Sequence, residues 1–221
     1  MSATAETTGA FLPGGVAGEP EDLVAAARAF VLAEAAAVGA LADHLDGLPA
    51  VIDLVAATTG KVVTTGAGTS GSVARRFAHL LSVCGTPSLF LHPGDAIHGS
   101  SGALAAGDLL VVFSKSGGSD EVNLTADRAR TLGALVLVLT TRDSTDLTAL
   151  ADHTHVLPPA GPEDPDGVIA MGSTLVASAF GDAVAVALMR RRGYSVESVL
   201  FTHPGGAVGK NAAARDAGGD R

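Results

Sequence analysis

The feature that most constrains the fold is a series of short apolar runs that starts near residue 61 and alternates with helix-patterned segments. The runs are almost unbroken, which is typical of strands covered on both faces, whereas a half-exposed strand alternates apolar and polar residues. We therefore predict an α/β fold, a doubly wound five-stranded parallel sheet flanked by helices as a flavodoxin-like three-layer sandwich. The five predicted strands are Lys61–Thr65, Pro87–Leu91, Asp108–Phe113, Leu135–Thr140 and His153–Leu157.

The predicted sheet belongs to a single domain with a helical lead. Apolar residues recur at helical spacing from Glu19 to about Ala57, in an Ala-rich stretch that precedes the first strand. Residues 1–18 and 210–221 are rich in small and polar residues, and we expect both segments to be disordered. Residues 19–209 remain as one domain, and this length is sufficient for one substantial core.

Composition disfavours several classes of partner. The net charge of -9 argues against nucleic acid and anionic membranes. We expect no signal peptide, because the N-terminus lacks a basic start and an apolar core, and no apolar run approaches membrane-spanning length. Cys84 is the single cysteine, which excludes an intrachain disulfide and predicts a reducing, cytoplasmic location.

Two loops rich in glycine and serine follow predicted strands. The glycine loop, Gly66–Gly71, reads GAGTSG, and the serine loop, Ser114–Ser119, reads SKSGGS. A turn from a strand into a helix presents free backbone N–H groups and the positive end of the helix dipole to an anion. Serine hydroxyls add donors, and glycines let a phosphate approach the backbone. Loops at the ends of neighbouring parallel strands can converge, so we predict a site for one small phosphorylated ligand.

Each of these motifs has a second interpretation. The glycine loop matches the dinucleotide fingerprint, but that fingerprint requires an acidic residue at the end of the next strand, and no acid precedes Asp95 there. A nicotinamide oxidoreductase is therefore disfavoured, while a simple tight turn stays open. Glu121 lies in the first turn of the next helix, where it serves either as a helix cap or as a general base. His153 and His155 share one strand face, as a metal pair or as packing residues; without a third ligand, packing is favoured.

Five segments together carry a resemblance to sugar isomerase (SIS) domain proteins, and more narrowly to the SIS domain of arabinose-5-phosphate isomerases. They occur in the order and approximate spacing of that family, and the resemblance runs from about Lys61 to Gly209. The Ser-x-Ser-Gly motif is shared by SIS proteins generally, whereas the His-Pro-Gly-Gly segment is more specific to this subgroup. The long forms carry paired CBS domains after it, so this chain is expected to be a short form without them. The segments are Gly66–Gly71, His92–Gly99, Ser114–Glu121, Gly181–Ala183 and His203–Ala207.

The resemblance implies an SIS fold and an aldose–ketose isomerase that acts on a pentose 5-phosphate through a cis-enediol. It also implies a homotetramer with active sites at subunit interfaces, and neither a cofactor nor a metal. The expected catalytic residues are His203, Glu121, Glu163 and Lys115. The expected substrate-binding residues are Gly68, Thr69, Ser70, His98, Ser114, Ser116, Gly117 and Ser119, and among them Ser70, Ser114, Ser116 and Ser119 would hold the phosphate.

Two departures from the family pattern place the substrate's identity in doubt. Thr69 stands where the family has an active-site lysine, and Lys115 stands where it usually has asparagine. Lys115 either restores the missing charge or is an exposed loop lysine. The family's glutamate in the loop before the long helix aligns without gaps on Pro162. Glu163, one place away, either substitutes for it or is a solvated acid of the acidic loop, Pro158–Gly167.

A second function remains open, that of a non-catalytic SIS sensor that binds a phosphosugar and reports it to a partner. Bacterial regulators of this type carry a DNA-binding helix-turn-helix before the SIS domain. The first sixty residues here are acidic and Ala-rich, which disfavours DNA binding. A sensor needs the serines alone, whereas an isomerase also needs the acid–base pair of Glu121 and His203.

Overall fold

The five predicted strands form one parallel sheet in a computed structural model that describes residues 22–159 and 161–205. The strand order is β2-β1-β3-β4-β5, which is the flavodoxin-like order, so the predicted fold class is confirmed. The structure shortens most of the predicted runs by one or two residues at their ends. The strands are β1 (Val62–Thr65), β2 (Ser88–Phe90), β3 (Leu109–Phe113), β4 (Leu135–Thr140) and β5 (His153–Val156).

Helices cover both faces of the sheet. Alternate residues of β3 show this division, because Leu109 and Val111 belong to one buried cluster and Leu110 and Val112 to the other. The unbroken apolar runs of the sequence therefore have the predicted cause. The helices are α1 (Leu23–Ala40), α2 (Leu48–Ala57), α3 (Gly68–Val83), α4 (Pro93–Ile97), α5 (Asp120–Thr131), α6 (Asp146–Ala149), α7 (Gly172–Arg191) and α8 (Val196–Thr202).

Two short helices lie outside the sequence prediction. Helix α4 has Pro93 in its first turn, and the Nδ1 atom of His92 accepts a hydrogen bond from the Gly94 N–H at 3.1 Å. Helix α8 is capped by the Ser195 hydroxyl, which accepts from the Ser198 N–H. Neither helix completes more than two turns, so apolar periodicity had too few residues in which to show itself.

The predicted helical lead forms two helices, since α1 ends at Ala40 and α2 begins at Leu48 after a 3-10 turn. Asp22 caps α1 by accepting from the N–H groups of Val24 and Ala25. No residue of α1 is buried, and Leu23 and Leu32 are 76% and 64% exposed. The predicted disordered segments, 1–18 and 210–221, lie outside the described residues.

One sequence expectation needs correction, namely that no apolar run approaches membrane-spanning length. Two helical segments, Leu23–His44 and Gly172–Arg191, are long and apolar enough to cross a membrane by length and composition. In α7 the packing explains this composition, because Val176, Phe180 and Val184 belong to the buried core. In Leu23–His44 only Leu41, which follows α1, is buried.

The carboxyl ends of β1 and β3 meet side by side at the point where the strand order reverses. A Cβ atom on Gly66 would lie 2.8 Å from the Phe113 carbonyl oxygen and 2.9 Å from the Ser70 carbonyl oxygen. No larger residue fits there without displacing backbone. The fold therefore brings the glycine loop against the end of β3, where the serine loop begins.

Candidate functional site

A cleft at the carboxyl ends of β3, β4 and β5 brings the two predicted loops together. Ser70 of the glycine loop and Ser114 and Lys115 of the serine loop all line it. Its apolar lining includes Phe113 and Leu139, the last residue of β3 and the fifth residue of β4. A cleft at a topological switch point is where open α/β sheets bind ligands, as the sequence predicted. Its other polar residues are Thr140, Thr141, Ser173 and Thr174.

The serine loop is held in a tight turn by its own hydroxyls. Ser114 is buried, and its Oγ accepts from the Gly117 N–H at 3.1 Å. Ser116 is exposed, and its Oγ accepts from the Gly118 N–H at 3.4 Å. Gly117 has a φ of 70°, and a Cβ there would lie 2.5 Å from the Thr145 hydroxyl, so this position requires glycine. Within the described residues neither serine hydroxyl donates a hydrogen bond, which leaves both O–H groups for an anion.

Helix α5 directs its positive end toward this loop. Ser119 occupies the N-cap position, and its hydroxyl makes no capping hydrogen bond to the helix. The Ser119 hydroxyl is therefore also available to a ligand, next to the free N–H groups of the first turn. Asp120 and Glu121 lie in that first turn, where the dipole favours carboxylates. Glu121 is half-buried and does not line the cleft, so both interpretations of this residue stand.

The glycine loop leads directly into α3. Gly68 begins the helix with a φ of 55°, a backbone conformation that favours glycine. Thr69 is exposed, and Ser70 is half-buried and lines the cleft. A Cβ on Gly71 would lie 2.5 Å from the Gly66 carbonyl oxygen, so this glycine also allows a close backbone contact. Packing explains the two outer glycines, so the fingerprint pattern needs no dinucleotide.

Lys115 is not an exposed loop lysine, because only 26% of its side chain is exposed and its ammonium has two acceptors within the protein. The Nζ atom donates to Asp164 Oδ2 at 2.6 Å and to the Gly167 carbonyl oxygen at 3.0 Å. The Lys115 carbonyl oxygen accepts from the hydroxyls of Thr140 and Thr141. Both ends of the residue are therefore fixed, and its charge is matched by a carboxylate of the acidic loop.

Asp164 is a fully buried carboxylate that also organises the start of α7. Its Oδ1 accepts from the N–H groups of Met171 and Ser173, at 2.8 and 3.0 Å. Burial alone would raise the pKa of Asp164. The hydrogen bonds from Lys115 and from the Ser173 and Met171 N–H groups outweigh burial and lower the pKa to about 2. The carboxylate is therefore charged throughout the physiological pH range.

Glu163 is buried as well, so the interpretation of the acidic loop as solvated is wrong for Glu163 and Asp164, whereas Asp166 is exposed. Its Oε1 accepts from the Gly161 N–H at 2.7 Å, and its carbonyl oxygen accepts from the Gly172 N–H at 3.0 Å. Glu163 lines a groove between α1 and the acidic loop, beside the cleft rather than within it. Ser173 lines both spaces, and its buried hydroxyl has no partner among the described residues.

Two predicted site residues lie away from the cleft of their own chain. His203 follows α8, and its Nδ1 lies 2.8 Å from the Val199 carbonyl oxygen. His98 follows α4 and is exposed. In the part of the chain that the structure describes, neither histidine lines the cleft. Their assignment to the site remains a prediction.

The sequence analysis missed the residues that β4 delivers to the site. Thr141 and Arg142 follow β4 directly, and Arg142 and Ser116 line a second pocket, which we call the mouth of the cleft because it shares Lys115 and Thr141 with the cleft. Arg142 is exposed and forms no ion pair within residues 22–159 and 161–205. The signal that could have found these residues is the one used for the serine loop, namely polar residues directly after a buried parallel strand.

His155 of β5 serves packing. The His155 ring is buried and stacks on Phe180 with 4.2 Å between ring centroids. Burial, with a smaller contribution from His153, lowers the pKa of His155, so the ring is neutral at physiological pH. Among the described residues, no group of three or more His, Cys, Asp and Glu side chains is placed to hold a metal ion.

The comparison with protein families agrees with this architecture. The family model described as "SIS domain" matches residues 57–187. The chain belongs to the SIS domain family. The matched segment begins at the last residue of α2, ends inside α7, and contains the glycine loop, the serine loop and the acidic loop.

Named relatives lie in one functional group. Arabinose 5-phosphate isomerase KdsD of Escherichia coli K12 is 36% identical over 151 residues, which are 68% of this chain and 46% of that protein. Arabinose 5-phosphate isomerase KpsF of Escherichia coli is 32% identical over 195 residues, 87% of this chain and 62% of that protein. The chain thus spans about half to three-fifths of the length of these relatives.

Solved structures share the fold. Protein c3406 of Escherichia coli CFT073, solved in complex with A5P, has a TM-score of 0.79 and 29% identity, with 85% of this chain and 100% of that chain covered. The Vibrio vulnificus NanR protein, complexed with ManNAc-6P, has a TM-score of 0.69 and 21% identity, with 80% of this chain and 67% of that chain covered. The second likeness shows the fold alone.

Proposed function

We propose that this chain is a phosphosugar aldose–ketose isomerase that acts on a pentose 5-phosphate of the arabinose 5-phosphate and ribulose 5-phosphate type. The observation that carries the proposal is the convergence of Ser70 and Ser114 in one cleft beside the positive end of α5. The relatives named arabinose 5-phosphate isomerases and the structure of c3406 with A5P support the same substrate class.

The phosphate is bound by hydroxyl and backbone donors rather than by a lysine. The O–H groups of Ser114, Ser116 and Ser119 have no acceptors among the described residues, and Ser70 lines the same cleft as Ser114. Hydrogen bonds to a charged acceptor are roughly twice as strong as neutral ones, so four such donors can hold a dianion. Gly68, Thr69 and Gly117 complete the two loops that surround it.

Arg142 supplies the free positive charge that the substrate meets. Thr69 carries no charge, and the Lys115 ammonium is neutralised by Asp164. Arg142 lies at the mouth of the cleft beside Ser116, and a guanidinium can bind phosphate or sugar oxygens in a bidentate manner. In a chain with a net charge of -9, such a local cation attracts an anionic substrate against the overall field.

The reaction moves one proton between neighbouring carbons. A base removes the proton from C2 of the aldose while the carbonyl oxygen gains a proton, which gives a cis-enediol. The proton then returns to C1 as the C2 hydroxyl loses its own, which gives the ketose. Imidazole suits this shuttle, because its unperturbed pKa of about 6.5 allows it to accept and donate near neutrality. His203 takes this role. We assign Glu121 and Glu163 to the proton transfers at the carbonyl oxygen and the C2 hydroxyl.

His203 acts on the cleft of a neighbouring copy within a homotetramer. Its Nδ1–H is directed at the Val199 carbonyl oxygen, which leaves Nε2 to accept a proton. The helix that carries it presents Phe201, which is 86% exposed, and Val196, which is 60% exposed. Apolar side chains exposed to this degree fit an interface better than a free surface. We further infer a cytoplasmic enzyme without nucleic-acid or membrane partners.

A non-catalytic phosphosugar sensor is the second candidate. The serine cleft supports it, because hydroxyl and backbone donors alone are sufficient to bind a phosphosugar. The two candidates differ in whether the substrate's carbon proton exchanges with solvent.

The deciding experiment follows turnover of ribulose 5-phosphate and a small panel of pentose and hexose phosphates in deuterated water. We expect deuterium to enter one sugar, and His203→Ala to slow this exchange by about 10²–10⁴-fold, the usual contribution of a general acid–base residue. Glu121→Gln should have a similar effect, whereas His79→Ala, on an exposed face of α3, should not. Sugars that raise the melting temperature without any exchange would identify a sensor instead.

A further inference from the structure

The Lys115–Asp164 ion pair connects three parts of the site that are distant in sequence. Lys115 belongs to the serine loop, Asp164 to the acidic loop, and the Asp164 carboxylate also holds the N–H groups of Met171 and Ser173 at the start of α7. Nothing in the SIS resemblance assigns a role to Asp164. The pair is therefore a feature of this chain, placed beside the phosphate-binding serines.

The contacts make this connection rigid. The Lys115 carbonyl oxygen is held by Thr140 and Thr141 of the neighbouring strand and its turn, so the loop backbone has little freedom to follow its side chain. The ammonium has two acceptors, Asp164 Oδ2 and the Gly167 carbonyl oxygen, which lie three residues apart in the acidic loop. The carboxylate is completely buried and accepts two further hydrogen bonds. Removing one partner of such a pair leaves an uncompensated buried charge.

Glu163 is the residue whose position this connection controls. It directly precedes Asp164, and its carbonyl oxygen accepts from the Gly172 N–H. A Cβ on Gly172 would collide with Cβ and Cγ of Glu163, so the stem of this side chain packs tightly against the start of α7. Glu163 is thus held by the acidic loop and by the start of α7, and Asp164 organises both of these elements.

We propose that Asp164 is a positioning residue: through Lys115 it fixes the acidic loop, and with it Glu163, relative to the serines that bind the substrate phosphate. This inference rests on the proposed isomerase function and deepens it. Lys115 then acts through Asp164 rather than as the cation that touches the phosphate.

The chain contains a matched control pair at the other end of the same strands. Lys61 Nζ donates to Asp108 Oδ2 at 2.6 Å, and Asp108 is buried and also accepts from the N–H groups of Lys61 and Ala105. This pair has the same chemistry and length and a similar burial, but it lies where β1 and β3 begin. Its loss should reduce stability without disturbing the cleft.

The experiment compares Lys115→Met and Asp164→Asn with Lys61→Met and Asp108→Asn, in steady-state kinetics on the sugar that the wild type converts. We expect Lys115→Met and Asp164→Asn each to lower kcat by about 10- to 100-fold, because a displacement of about 1 Å can cost 100-fold in rate. The control variants Lys61→Met and Asp108→Asn should lower the melting temperature by about as much as Lys115→Met and Asp164→Asn do. They should leave kcat and KM within about twofold of wild type.

The double variant Lys115→Met/Asp164→Asn separates positioning from direct contact. If both residues act through their ion pair, the double variant should be no slower than the worse single variant, since coupled residues are not additive. A Lys115→Met effect that persists at full size in the Asp164→Asn background would make Lys115 an independent substrate-binding cation and overturn the inference. Lys115→Arg, which keeps the charge, should recover part of kcat.

The inference can still be tested if one of the variants does not fold. If Asp164→Asn does not fold, Lys115→Met keeps the two N–H bonds of Asp164 to α7 and is compared with Lys61→Met alone. Equal kinetic effects from these two variants would overturn the inference while the isomerase function stands. No turnover by the wild type on the whole panel would overturn the proposed function, and the inference with it.

Discussion

Gly66 and Phe113 touch through their backbones: a Cβ on Gly66 would lie 2.8 Å from the Phe113 carbonyl oxygen. This contact joins the end of β1 to the end of β3 at the point where the strand order reverses. It explains why a loop after the first strand and a loop after the third strand can share one ligand. The close approach of the two loops depends on the absence of a single carbon atom.

The first prediction tests this contact with Gly66→Ala. The added methyl group must displace backbone, so we expect a loss of about 1–3 kcal/mol in the free energy of unfolding. Displacement of the glycine loop should also weaken binding of arabinose 5-phosphate, by about tenfold or more. Thermal melts with and without the sugar measure both effects. Gly39→Ala is the control, because nothing lies within 4 Å of that position and alanine favours a helix; equal behaviour of the two variants would contradict the prediction.

The second prediction concerns Arg142 at the mouth of the cleft. Arg142→Ala should raise KM for the phosphosugar by about tenfold and leave kcat nearly unchanged, because a charge-assisted hydrogen bond contributes to ground state and transition state alike. Arg142→Lys should recover part of the affinity. Arg28→Ala removes an exposed arginine from α1 and should leave KM unchanged. If both alanine variants behave alike, the effect is one of net charge and Arg142 is not a ligand.

The third prediction is a loss of stability in mild acid that originates at His155. Burial lowers the pKa of His155 in the folded protein from 6.5, and the unfolded chain keeps the ordinary value. The unfolded state therefore binds the proton more readily, and the free energy of unfolding should decrease as pH falls below about 6.5. The slope from one such group cannot exceed about 1.4 kcal/mol per pH unit.

Denaturant unfolding between pH 5 and pH 8 measures this slope. His155→Phe preserves the stacking on Phe180 and should flatten the curve in that window, whereas His79→Gln, at an exposed site, should not.

Asp164 affects the free energy of unfolding in a more acidic pH range. Its pKa is lowered from 3.8 to about 2, so its contribution is present above about pH 4 and is lost as pH falls toward 2. If the slope of the free energy of unfolding between pH 5 and pH 8 persists in His155→Phe, the acid sensitivity in that window originates at groups other than His155.

The fourth prediction tests whether active sites are shared between subunits. His203→Ala and Glu121→Gln should each be nearly inactive. If His203 serves a neighbouring copy, mixed oligomers of the two variants contain some sites in which both residues are intact. Co-expression of the two variants should then restore a fraction of the activity. Oligomers of wild type with the double variant give the reference level, and no recovery in the mixed sample would place His203 in its own subunit's site or outside the site.

Several residues that line the candidate site were predictable from the sequence, because the patterns that mark them lie within a few neighbouring positions. The serine loop was recognisable because hydroxyls and glycines directly follow a buried apolar run, and the structure places Ser114 at the end of β3. Gly117 was expected to let a phosphate approach the backbone, and its φ of 70° shows that the turn itself also requires glycine. Short elements such as α4 were missed because five residues carry no readable period.

Residues whose environment is made by distant segments were not predictable in this way. Lys115 was open between a substrate-binding cation and an exposed lysine, and the structure argues against the exposed lysine, because Asp164 lies 49 positions away in sequence and 2.6 Å away in space. Glu163 and Asp164 look like part of a solvated acidic loop until the start of α7 buries them. Arg142 acquired a place at the cleft only because β4 lies next to β3.

The sequence by itself determined the parallel sheet, the order of its strands and longer helices, and the two loops suited to an anion. These features follow from apolar runs, glycines and hydroxyls read within a dozen residues of one another. Only the tertiary structure decided which charges are free, which carboxylates are buried and which strands stand side by side. Burial and ion pairing depend on residues that are distant in sequence and come into contact only when the chain folds, so the linear sequence does not show which residues form these contacts.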